Sequence, residues 1–136
     1  MRKKRLKLLA MALLGYSAMS ATASSQRPAL AMLDQLEPGR WEVRLRDGSA
    51  RASQVCLDNG RKLIQLRHEA LICERLVVDD RPDQVTVQYT CRGRGYGRTT
   101  IRRETGRLVQ IETQGIADGL PFEFAAEARR TGDCGG

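Results

Sequence analysis

From residue 40 onward, apolar and polar side chains mostly alternate one for one. Trp41, Val43 and Leu45 alternate with Arg40, Glu42, Arg44 and Arg46, the period of a strand with one buried face, and Asp47-Gly48 ends the run. Arg51 to Leu57 reads as a second, weaker strand, and Leu71 to Val78 as a third ending at the turn Asp80-Arg81-Pro82-Asp83. Val85, Val87, Tyr89 and Cys91 alternate with Gln84, Thr86, Gln88 and Thr90. Two more runs, Tyr96 to Glu104 and Arg107 to Gln114, are separated by Thr105-Gly106 as in a tight hairpin. After Ala117-Asp118-Gly119, Phe122, Phe124, Ala126 and Ala128 alternate with Glu123, Ala125, Glu127 and Arg129. About seven short strands with regularly spaced turns predict an all-β domain with minor helix. The expected architecture is an antiparallel meander curled as a half-barrel, with one or two short helices packed on it, because a sheet with one wet face must bury the other.

Two segments break the two-residue period. In 28–36, Leu30, Leu33 and Leu36 lie at helical spacing, Pro28 suits a first turn, and Glu37-Pro38-Gly39 stops the run. Asp58-Asn59-Gly60 opens either a hairpin or a helix with Asp58 as N-cap; Leu63, Leu66 and Ala70 favour the helix.

The first 23 residues follow a different logic. Arg2, Lys3, Lys4, Arg5 and Lys7 form a basic start, Leu8 to Leu14 an apolar run, and Ala21-Thr22-Ala23 a small-x-small cleavage box, the order of a secretory signal peptide. The apolar stretch is short of the roughly 20 residues a membrane span needs. The expected division is therefore a signal peptide at 1–23, an N-terminal segment with a short helix at 24–37, and a disulfide-stapled β domain at 38–136. No transmembrane segment is expected after cleavage, and the protein is expected to be periplasmic or secreted.

This division changes the meaning of the charge. The 136-residue chain carries 23 Lys and Arg against 16 Asp and Glu, a net +7 that suggests a nucleic-acid binder. Five of the basic residues lie in the signal, which leaves +2, a weak field for counterion-driven binding. No nucleic-acid partner is expected.

Cys56, Cys73, Cys91 and Cys134 all fall after the signal, an even count that reads as two disulfides in an exported domain. Gaps of 16, 17 and 42 residues contain no zinc knuckle. Of the three connectivities, Cys56–Cys73 with Cys91–Cys134 is the reading taken here, the first bridge stapling the ends of the helical connection. Cys73–Cys91 with Cys56–Cys134 stays open as the alternative.

The opening Pro38-Gly39-Arg40-Trp41-Glu42-Val43 resembles the P-G-x-W-E-V start of a bacterial exported family catalogued as domain of unknown function 3617. The resemblance continues through Gln54-Val55-Cys56-Leu57, Cys73, Tyr89-Thr90-Cys91 and the final Arg130-Thr131-Gly132-Asp133-Cys134. It implies export and brings no established activity or catalytic residue to carry over. Many relatives carry a long insertion between the first two strands, where this chain has only Asp47-Gly48-Ser49-Ala50.

Candidate chemistry is sparse. His68 is the single histidine, and a nucleophile pair would need Ser49 or Ser53, neither in an elbow motif; a surface position on a helix is expected for it. Asp79, Asp80 and Asp83 lack the ligand pattern of a calcium loop. The run Arg92-Gly93-Arg94-Gly95-Tyr96-Gly97-Arg98 reads as a solvated hairpin, with polyanion binding as its functional rival. No catalytic site, cofactor or metal is expected. The function expected is non-catalytic binding or a structural role in the envelope, with an unknown envelope protein or an apolar small molecule as partner. If the half-barrel holds such a molecule, Trp41, Val43, Val87, Tyr89, Phe122 and Phe124 line its pocket; otherwise the same residues close a filled core.

Overall fold

A computed structural model describes residues 29–135. The expected signal peptide, and Pro28 with it, lie outside the described residues. The seven strands are β1 (Gly39–Leu45), β2 (Ser53–Leu57), β3 (Glu74–Asp80), β4 (Gln84–Cys91), β5 (Gly95–Thr105), β6 (Leu108–Ala117) and β7 (Leu120–Gly132). All pairings are antiparallel, and the order across the open, curled sheet is β2-β1-β7-β6-β5-β4-β3. The all-β half-barrel is therefore as the alternation predicts. Its last five strands form the meander, and the β1–β2 hairpin docks beside β7.

This order leaves β2 and β3 at opposite edges, so the chain between them must cross the whole sheet. It does so as a 3-10 helix, Gly60–His68, lying over the inner face. The helix reading of this stretch holds, but its N-cap is Asn59, whose side chain accepts from the Arg61 amide, rather than Asp58. The crossing helix is kinked at Gln65 (φ −124°, ψ 47°). There the Gln65 Nε2 donates to the carbonyls of His68 at 2.9 Å and Leu71 at 2.7 Å. A side chain thus serves acceptors at and just beyond the helix end, which helix geometry leaves without an intrahelical partner.

The inner face of the sheet and the underside of this helix make the core. Trp41, Leu63, Val85, Val87, Ile101, Val109, Ile111, Ala126 and Ala128 are fully buried, with Ile64 beside them. The N-terminal helix α1 spans only Ala31–Asp34, shorter than the leucine spacing implies. Leu30 before it adopts a left-handed backbone (φ 60°), and its amide donates to Asp80 Oδ2 at 3.0 Å. Even so, Leu30, Leu33 and Leu36 are all buried, as their spacing predicts.

The disulfide pairing expected from the sequence is corrected. Cys56 bonds Cys134 and Cys73 bonds Cys91, rather than Cys56–Cys73 and Cys91–Cys134. The register explains both bridges. Arg40 of β1 faces Cys56 on one side and Gly132 on the other, so the chain leaving β7 reaches β2 within two residues. Glu74 faces Thr90, which sets Cys73 against Cys91 with Cα atoms 4.3 Å apart. Cys56 and Cys73 lie at the two edge-strand ends of the crossing segment, and each bonds a cysteine beside its own edge instead.

The opening motif has a physical basis in this register. A Cβ on Gly39 (φ 144°) would lie 2.5 Å from the Gly132 carbonyl oxygen, so β1 and β7 approach too closely there for a side chain. The Trp41 indole is buried and donates to the Glu37 carbonyl at 2.9 Å, while Arg130 Nε donates to the Pro38 carbonyl at 2.8 Å.

Candidate functional site

Three places on this scaffold carry chemistry: a buried polar network, a cleft at the mouth of the half-barrel, and the outer face of the sheet. The network begins at His68, the last residue of the crossing helix. The sequence reading puts it on the surface; the structure buries it, 4% exposed. Its Nδ1 shares a hydrogen bond with the Tyr89 hydroxyl at 3.0 Å, and the two rings meet edge to face. Neither Ser49 nor Ser53 is its partner. Burial raises the Tyr89 hydroxyl to a pKa of about 12. The phenol therefore stays protonated, and the pair joins the helix to β4.

Glycines make the room for this contact. A Cβ on Gly97, opposite Tyr89 in β5, would lie 2.4 Å from the Tyr89 ring and hydroxyl. One on Gly95 would lie 3.3 Å from His68 Nε2 and closer still to β6 backbone. Farther along, Thr99 donates to the Ile64 carbonyl at 2.6 Å and contacts Thr113 at 2.7 Å, while Arg75 donates to Gln65 Oε1 at 2.7 Å. These inward polar groups are spent on seating the helix.

The six residues expected to line a pocket or a core divide along the sheet. Trp41, Val87 and Tyr89 are sealed into the core, and Val43 is 6% exposed. Phe122 lies at the far end, its ring 5.9 Å from His68 and 6.2 Å from Phe124. Val43 and Phe124 reach a second feature, a cleft of about 280 Å³ between the β1–β2 hairpin and the crossing helix. Leu45, Val55 and Leu66 complete its apolar wall, and all three, like Phe124, are partly buried residues packed on the core. Arg51, Arg67 and Glu69 also line it. Leu66 was legible as a helix position and Val55 as a strand position. Nothing local in the sequence indicates that residues from β1, β2, the helix and β7 converge.

Outside, the cross-strand row Gln88, Arg98, Gln114 and Glu123 runs over β4 to β7. Around it, Thr86 bonds Thr100 and Gln110 bonds Glu127 across strands, Gln110 also accepts from Arg46, and Arg102 pairs with Glu104 along β5. Glu127 is held below the usual carboxylate range, chiefly by its hydrogen bond from Gln110. The Arg92–Arg98 run spans the β4–β5 turn and the start of β5. Arg94 pairs with Asp118 at 2.7 Å, and Arg98 lies in β5 on the outer row. Asp79 and Asp80 are engaged as well, by Arg81 and by the Leu30 amide.

No protein-family model, no curated protein and no solved structure matches this chain.

Proposed function

We propose that this chain is an exported, disulfide-stapled, non-catalytic binding domain of the bacterial envelope, periplasmic or secreted. We further propose that it meets its ligand at the mouth of the half-barrel. The observation that carries the reading is the cleft. There Val55, Leu66 and Phe124, all partly buried residues packed on the core, bring apolar surface together at a concave opening to solvent. Two staples in a small domain fit an oxidising compartment. The interior polar groups fit a structural task, because His68 is engaged by a phenol that stays protonated. The shared opening motif and cysteine spacing support membership of the exported family catalogued as domain of unknown function 3617.

Two measurements test this reading. Protein from an envelope fraction should have an intact mass starting at Ser24 and four hydrogens below the reduced form; a full-length species with free thiols would overturn export. The dye 1-anilinonaphthalene-8-sulfonate should bind the native protein and be displaced when Ala50→Trp narrows the mouth. Binding that ignores Ala50→Trp would remove the cleft from consideration.

A second reading places a protein partner on the outer face. It is favoured by exposed Leu76 and Tyr96, at 63% and 50%, which flank the Gln88–Glu123 row.

A further inference from the structure

The apolar wall of the cleft does not by itself specify a ligand; its rim does. Arg51 enters from the link between β1 and β2, and Arg67 from the last turn of the crossing helix. Neither guanidinium makes an ion pair or hydrogen bond with a described residue. Arg40, Arg92 and Arg98 share this state but line no part of the cleft, whereas Arg44, Arg46, Arg61, Arg81, Arg94 and Arg102 each hold a carboxylate. Asp118 feels the Arg67 charge but is itself bonded to Arg94. Glu69 is the single carboxylate in the lining, so the rim carries a net positive charge.

An apolar wall under two unengaged guanidiniums is complementary to a molecule with an apolar tail and an anionic head. A volume of about 280 Å³ lies at the small end for ligand sites, which favours one chain over a fused-ring or two-chain ligand. The polar members of the lining, Ser53 and Gln54, belong to the edge strand β2 and leave the wall formed by Val43, Leu45, Val55, Leu66 and Phe124 unbroken.

We infer that the cleft binds a single-chain anionic amphiphile, a free fatty acid, with its tail against Val55, Leu66 and Phe124 and its carboxylate between Arg51 and Arg67. This inference rests on the mouth being the binding site, as proposed above, and adds the chemistry of the head. Guanidinium binds carboxylate through charge-assisted, often bidentate hydrogen bonds, so the head fixes orientation while the tail supplies buried area.

The test titrates the full mature protein by calorimetry with dodecanoate and with dodecanol, each below its aggregation threshold. Dodecanoate should bind more tightly than dodecanol. The exposed double variant Arg51→Gln/Arg67→Gln should lose about tenfold for dodecanoate, with dodecanol unchanged. Ala50→Trp, on the exposed link, should weaken both.

Equal binding of the two probes, indifferent to the arginine variant but weakened by Ala50→Trp, would overturn the anionic head and leave the apolar mouth standing. No binding of either probe to the native protein would overturn both. Adsorption to phosphatidylglycerol vesicles without uptake of monomeric dodecanoate would overturn the inference in favour of a membrane-contact surface.

Discussion

The hydroxyl of Tyr89 and Nδ1 of His68 meet at 3.0 Å beneath the crossing helix, joining β4 to the end of the one segment that bridges the two sheet edges. His68 Nε2 is buried with no hydrogen-bond partner among the described residues, so this bond is the imidazole's only one. Tyr89→Phe removes it and leaves a wholly unsatisfied buried ring. The expected loss is about 1–3 kcal/mol of unfolding free energy. Urea denaturation at neutral pH measures it, and a change within error would show that the pair contributes nothing to stability.

The same tyrosine sets an alkaline limit. Its hydroxyl titrates near 10 in an unfolded chain and at about 12 in the fold, because burial disfavours the phenolate. Between those values the unfolded state has released a proton that the folded state keeps, so stability falls as pH rises. The contribution is fully present below pH 10 and is lost by about pH 12, roughly 2–3 kcal/mol in all. Melting curves across that window should show the decline, and Tyr89→Phe should flatten it.

Gly97 and Gly119 separate two reasons for having glycine. Gly97 lies in ordinary strand backbone, but a Cβ there would strike the Tyr89 ring at 2.4 Å; Gly119 has open space around it and φ of 81°. Gly97→Ala must displace Tyr89 from His68 and should cost about 2–3 kcal/mol. Gly119→Ala is strained only in its backbone and should cost about 1 kcal/mol. Thermal unfolding of the two variants side by side gives the ranking, and a reversed order would refute the packing argument.

The two disulfides differ in how much chain they close. Cys56–Cys134 spans 78 residues and Cys73–Cys91 spans 18. Loop-closure entropy makes the longer bridge worth about 4.5 kcal/mol and the shorter about 3 kcal/mol. Replacing each pair by alanine should therefore destabilise more for Cys56/Cys134. Peptide mapping without reductant should recover the two bridged pairs, and a Cys56–Cys73 peptide would contradict the register that joins β2 to the end of β7.

Much of this architecture is legible in the residues themselves. Alternation around Trp41, Val87 and Tyr89 marks which side of each strand is buried, because neighbouring side chains on a strand point to opposite faces. Gly, Pro and Asp place the turns, and four cysteines after an expected export signal predict the number of bridges but not their pairing. What the residues leave undetermined is which strands are neighbours. Alternation is the same on a central strand and an edge strand, so it does not report that β1 pairs with β7 or that the chain between β2 and β3 crosses the sheet. That pairing brings Cys134 to Cys56, and the crossing buries a histidine flanked by Arg67 and Glu69. It also gathers Val43, Val55, Leu66 and Phe124 with Arg51 and Arg67 around one cleft. Local sequence sets each face, through the geometry of a single strand. Tertiary structure sets each meeting of distant residues, because those contacts depend on how the whole sheet closes over its core.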